Sequence, residues 1–304
     1  MELFVAEAQV GRGVYDGGVT SFPVWTSAPG VRGTRTGAGV HVGVAERAGS
    51  PVVGELVVTN EGARTVLLLE GELLEGGWQH RTLVRDLLLA PHTSRAVTVA
   101  CVEQGRWSGS PEHSHGARRT SPSVRCALGQ DEDTRQSAVW SRVGRYEAAL
   151  GSSPTGSLLD HLDGLTNGVG RHGAALLPGQ RGVILGVGGQ PLVLEMFGSR
   201  AALAAHLPAL LAAVFLDAAL IPPSRVGQVP GRRARRMAAH LAGVPLAGSA
   251  SDGSAADPGA GGVGVGTNLT AHTTHAVVTG IVTPTGGLAH LSALNTAHPL
   301  LVAA

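Results

Sequence analysis

Acids, guanidinium groups and indoles crowd into two short blocks of this 304-residue sequence. The first runs Glu70-Gly71-Glu72-Leu73-Leu74-Glu75-Gly76-Gly77-Trp78-Gln79-His80-Arg81, and the second Cys101-Val102-Glu103-Gln104-Gly105-Arg106-Trp107. Read as strands beside a Gly-Gly turn, the first block carries Glu72, Gln79 and Arg81. A further strand ends in Glu103, Arg106 and Trp107. Charges inside strands next to apolar runs are unfavourable unless they are paired or used. Two arrangements suit this set. One is an Arg–Glu network that pins the end of a sheet. The other is a polar cup with Arg for an anionic group, Glu for a diol or a proton, and Trp for a flat ring. Composition alone leaves both open.

Other polar clusters carry less information. His113-x-His115 could ligate a metal, but spacing places no third ligand, so no metal is expected. Arg232-Arg233-Ala234-Arg235-Arg236 could hold a phosphate, although such runs are more often a solvated helix face. Gly168-Val-Gly-Arg-His-Gly173 fits GxGxxG, yet it follows a helical pattern rather than a strand and is read as coincidence among 45 Gly. All 23 basic residues are Arg, which excludes a Schiff-base or P-loop lysine. A net charge of +1 disfavours general nucleic-acid or membrane-surface binding. Cys101 and Cys126 read as two buried thiols, and the absence of a secretory signal points to a cytoplasmic protein.

The elements that must position these groups follow from periodicity. Residues 40–44, 52–59, 65–74 and 96–102 are β-branched or Leu-rich runs bounded by turn residues, the pattern of antiparallel strands. Residues 108–128 read as a flexible loop. Gln136, Val139, Trp140, Val143 and Tyr146 fall at helical spacing, and residues 157–165 suit a second, short helix. A hairpin is expected around Gly188-Gly189-Gln190, and an apolar helix over 201–220, where His206, Pro208 and Asp217 argue against a membrane span. A basic helix over 232–244, a mobile low-complexity loop over 247–266 and a hairpin around Pro284-Thr285-Gly286-Gly287 complete the chain. The expected class is α+β. Its N-terminal half is antiparallel and sandwich-like, packed with a C-terminal half of helices and hairpins. The regions are 1–107 and 129–304, either separate or one continuous domain.

Three blocks, GE-(x)n-GG-x-Q-x-R at Gly71–Arg81, CVEQGRW at Cys101–Trp107 and Gln136-Ser137-x-Val139-Trp140, resemble the ADP-ribosylglycohydrolase and rhodanese-phosphatase superfamily-associated protein domain. Leu194-Glu-Met-Phe197-Gly198 and Asp217-Ala-Ala-Leu220 are similar to it too, so the likeness spans residues 4 to 295. His80 departs from it, standing where Asn is common. The resemblance implies a link to ADP-ribosylation or NAD-derived nucleotide metabolism by genomic association, and it carries no reaction.

On that expectation the ligand is an ADP-ribose-like nucleotide, with no cofactor, and the partners are proteins of the ADP-ribosylation system. Arg81 and Arg106 would hold the pyrophosphate, and Trp107 or Trp78 would stack on the base. Gln79 and Gln136 would orient the ligand, with Trp140 beside them. Glu72 or Glu103 would bond the ribose or serve as general acid/base. The competing expectation is a scaffold or interaction protein in which the same residues form a structural knot.

Overall fold

The computed structural model describes residues 3–47, 52–166, 175–250 and 265–302. In chain order the strands before the first helix are β1 (Leu3–Phe4), β2 (Ala8–Val10), β3 (Val14–Asp16), β4 (Val19–Thr26), β5 (Arg35–Thr36), β6 (Val42–Ala45), β7 (Glu55–Asn60), β8 (Val66–Leu68), β9 (Glu72–Gly76), β10 (Arg81–Leu83), β11 (Leu87–Leu89), β12 (Ser94–Cys101) and β13 (Glu112–Arg119). Helices α1 (Pro122–Leu128), α2 (Glu132–Leu150) and α3 (Leu158–Thr166) follow, then β14 (Gly182–Val187), β15 (Gln190–Phe197), α4 (Arg200–Ala218) and α5 (Gly231–Leu241). The last strands are β16 (Pro245–Ala250), β17 (Thr267–His272), β18 (Ala276–Val282) and β19 (Leu288–Asn295). The class is α+β, dominated by antiparallel pairing.

The chain forms two compact units, with boundaries near residues 32, 164, 249 and 266. Unit 1 gathers the described residues of Met1–Arg32, Leu165–Ser249 and Thr267–Ala304. Its sheet runs β1-β16-β17-β18-β19-β15-β14-β4-β2, with β3 on the other register of β4. Helices α4 and α5 pack on this sheet. The apolar core includes Phe22, Ile184, Met196, Ala234, Ala238, Leu241, Val278 and Leu291. The helix α4 is long and apolar enough to cross a membrane, but half of its apolar window is buried within the protein, with His206 and Asp217 among the buried residues.

Unit 2 is built on Gly33–Gly164. Its sheet-rich part curls until it closes: β10-β12-β7-β6-β13-β9 form a barrel, which leaves no free edge among these six strands. A small sheet, β11-β8-β5, accompanies it. The run 65–74 is two strands, β8 and β9, separated by a turn at Gly71, whose φ of 81° favours glycine. On α2 the buried residues Val139, Val143 and Tyr146 keep the expected spacing, and the Tyr146 hydroxyl lies 2.6 Å from Ser121 Oγ and 2.7 Å from Ser123 Oγ.

One expectation is corrected. The segment 108–128 is not a flexible loop: it contains β13, which closes the barrel, and the helix α1. Its exposed hydrophilic residues, Ser110, Glu112 and Ser114, alternate with polar groups that turn inward and meet partners. Among them, His113 faces Glu46 and His115 faces Glu72. The Gly168–Gly173 match to GxGxxG lies outside the described residues, as do residues 251–264 of the 247–266 tract, whose residues 247–250 belong to β16.

Candidate functional site

Barrel register decides which side chains share a face. Leu74 lies opposite both Arg81 and His115, Arg81 lies opposite Cys101, and His113 lies opposite Gly76 and Val44. Directly opposed residues point to one side of a sheet, and alternation puts Glu72 with Leu74. These polar groups therefore share the face of Val44, Leu74, Leu83 and Val99, which belong to the barrel's apolar core. One end of that core is polar.

The polar layer is held by a chain of hydrogen bonds. Arg81, only 2% exposed, donates from Nη1 to Gln79 Oε1 at 2.7 Å and to Cys101 Sγ at 2.8 Å. Gln79 Nε2 in turn reaches the Gln104 carbonyl at 3.5 Å. From helix α2, Gln136 clasps the backbone of Cys101, accepting from its N–H at 2.8 Å and donating to its carbonyl at 2.9 Å. The amide thus continues the sheet where β12 runs out, and it ties α2 to the barrel. Burial pushes the Cys101 thiol up, more than the neighbouring Arg81 charge lowers it, so it is a poor nucleophile.

A second knot sits at the end of β12. Glu103, 2% exposed, accepts from the His80 N–H at 2.9 Å and from Thr155 Oγ1 at 2.7 Å. It also takes Arg106 Nε at 3.0 Å on Oε1 and Arg106 Nη2 at 2.8 Å on Oε2. The remaining Arg106 N–H groups go to backbone carbonyls: Gly77 at 2.6 Å and Ser108 at 2.9 Å from Nη1, and Gly76 at 3.1 Å from Nη2. A guanidinium has five N–H donors, and all of those on Arg106 are engaged. The Gly-Gly turn is required for this geometry. Gly77 has φ 59°, and a Cβ there would stand 2.1 Å from the His113 ring. Gly76 has φ 97°.

Electrostatics agree with a structural role for Glu103. Burial raises its carboxyl pKa, but the bonds from Arg106, His80 N–H and Thr155 outweigh burial and hold it below the ordinary carboxylate range. A general acid for glycosidic chemistry needs the opposite shift. Glu72 pairs elsewhere, with His115 Nε2 donating to its Oε2 at 2.8 Å. Burial alone lowers the His115 pKa, but the hydrogen bond and charge of Glu72 reverse that and raise it above its usual value. A histidine raised on folding contributes stability that is complete below its unfolded value near 6.5 and is lost as pH rises through the folded value. In urea titrations the stability gap between the wild type and His115→Gln should therefore shrink from pH 6 to pH 9; a gap that widens would contradict a charged pair.

The structure joins Gln79, Arg81 and Gln136 in one chain of bonds and Glu103 with Arg106 in another, and it places Glu72 in a third contact with His115. Trp107 is 54% exposed beside the Arg106 knot. Trp140 lies one helical turn beyond Gln136 and is half-buried, with no acceptor for its Nε1 among the described residues. His113 and His115 share a face but turn to separate carboxylates, and among the described residues no three His, Cys, Asp or Glu side chains converge as a metal site. Sequence reasoning missed Glu46 and Thr155. Alternation from Val44 could have flagged Glu46; nothing local singles out Thr155. It also missed the buried unit 1 cluster in which His290 Nε2 lies 2.7 Å from Glu195 Oε2 and Ser292 Oγ donates to Oε1 at 3.1 Å.

The class defined here is an α+β protein whose antiparallel barrel encloses a closed Glu/Arg/Gln/His network at one end. The ARG and Rhodanese-Phosphatase-superfamily-associated Protein domain matches residues 7–294, and the chain belongs to that family. The family name associates it with ADP-ribosylglycohydrolase systems. No curated protein and no solved structure matches the chain. The His80 departure also has a physical account. Its Nδ1 accepts the Gly76 N–H at 2.9 Å, a bond that the side-chain oxygen of Asn can equally accept.

Proposed function

We propose that this protein acts in an ADP-ribose-linked system as a non-catalytic component, and that the Glu103–Arg106 and Gln79–Arg81–Gln136 networks are its scaffold. The observation that carries this reading is the saturation of Arg106, whose every donor is taken by Glu103 or by a carbonyl of Gly76, Gly77 or Ser108. A residue built to grip a pyrophosphate keeps donors aimed at the ligand. The partners that suit such a component are the proteins of that system.

Thermal melts of Arg106→Ala with and without ADP-ribose test the reading. The expected result is a lower apo melting temperature, with any nucleotide-induced rise the same as in wild type. An unchanged apo melting temperature together with loss of that rise would return Arg106 to a ligand site. Recognition of an ADP-ribose-like nucleotide remains a second reading. It draws its support from a cation-lined cleft in unit 1 and not from the barrel network.

A further inference from the structure

Unit 1 contains a cleft of about 650 Å³ between α5, the β17–β18 turn, the start of β15 and the end of β19. Its lining follows from the helix. On α5, Ala234, Ala238 and Leu241 are buried in the unit's core, whereas Arg233, Arg236 and His240, at positions i, i+3 and i+7, line the cleft. The hairpin turn adds His275. Two guanidinium groups and two imidazoles thus face one space whose lining contains no Asp or Glu. Arg233 donates from Nη1 to the Gly189 carbonyl at 2.7 Å, which anchors one cation at the rim. Arg236, His240 and His275 have no side-chain hydrogen bond or ion pair among the described residues. Their donors are available, in contrast to those of Arg106. Pro191, Met237 and Leu241 supply an apolar wall.

Cations gathered without a counter-charge repel one another, and an anion relieves that repulsion. The volume falls within the range of about 300–1,000 Å³ typical of small-molecule sites. We propose that this cleft binds a phosphate-bearing small molecule of nucleotide size. Arg236 and Arg233 would grip the phosphates, His240 and His275 would flank them, and the apolar wall would take the uncharged part. The inference gives the nucleotide-recognition reading its site and uses no residue of the barrel network, so the Arg106 melts and the experiment below can fail independently.

The test is calorimetry and thermal shift on the full chain with ADP-ribose, ADP, pyrophosphate and adenosine. ADP and ADP-ribose should bind and raise the melting temperature, pyrophosphate should bind more weakly, and adenosine should not bind. The double substitution Arg236→Glu and His240→Glu should weaken ADP binding by about tenfold or more, since two carboxylates then face the phosphates in place of a guanidinium and an imidazole. The apo melting temperature should change little, because neither side chain holds another. Three results would each overturn the proposal: no binding of any phosphate compound at millimolar concentration, ADP binding that survives the double substitution, or ADP binding no tighter than pyrophosphate or adenosine.

Discussion

Glu103→Ala is expected to destabilise the barrel unit by about 3 kcal/mol, the lower end of the cost of breaking a buried ion pair, since Glu103 is buried but Arg106 is only partly so. The carboxylate takes bonds from three separate parts of unit 2: Arg106, the His80 backbone and Thr155. Its loss leaves Arg106 with two N–H directions facing nothing, while the carbonyl bonds to Gly76, Gly77 and Ser108 still hold the guanidinium in place. The alternate escape, rotation of Arg106 into water, would break those three bonds instead. Either route is unfavourable. A calorimetric scan should show the melting temperature lower by an amount on the order of 10 °C. Acid should do the same gradually. A carboxyl whose pKa is depressed on folding contributes stability above its unfolded value near 4.5, and that stability fades as pH falls through the folded value. A variant that melts within a degree or so of wild type would show that the knot does not support the fold.

Glu195→Ala is expected to cost unit 1 a similar amount, about 3–5 kcal/mol. Glu195 sits on β15, fully buried, and β15 lies between β14 and β19 in the interior of the long sheet. The register places Ser292 opposite Glu195 and His290 opposite Phe197, so the Glu195 carboxylate bridges β15 and β19 through both partners. Phe197 packs against His290 and stacks on His206 from α4, and both Glu195 and His290 are fully buried. Removing the carboxylate takes one acceptor each from a buried imidazole and a buried hydroxyl, and it opens a void. Urea denaturation should show the midpoint falling with the slope unchanged, the mark of lost stability without a change in the surface exposed on unfolding. A midpoint shift equivalent to less than about 0.5 kcal/mol would place Glu195 with ordinary surface substitutions and sink this account.

Much of the architecture was legible because it depends on local rules. Gly188-Gly189 and the Pro284–Gly287 stretch mark hairpins that form at those positions, and the spacing of Val139, Val143 and Tyr146 marks the buried stripe of α2. The strand β13 was not legible, and closure of the barrel went unseen with it. Its buried side chains are His and Arg, whose composition signals solvent. The acids that make their burial acceptable lie 67 and 43 residues away in sequence. The two motif blocks stand out in the sequence by their charges among apolar runs. Whether they form a cup or a knot turns on backbone carbonyls at Gly76, Gly77 and Ser108, which no side-chain pattern reveals. Glu195 and His290 are 95 residues apart, beyond any periodicity.

The division of the chain has a temporal meaning. All six barrel strands and the helices α1, α2 and α3 lie between Gly33 and Thr166, so a growing polypeptide holds every strand of the barrel before β14 is made. The long sheet is in the opposite position. It needs β19, made after every other described strand, to sit beside β15 and complete its interior. The barrel can thus be finished on the ribosome while the long sheet still waits for β19.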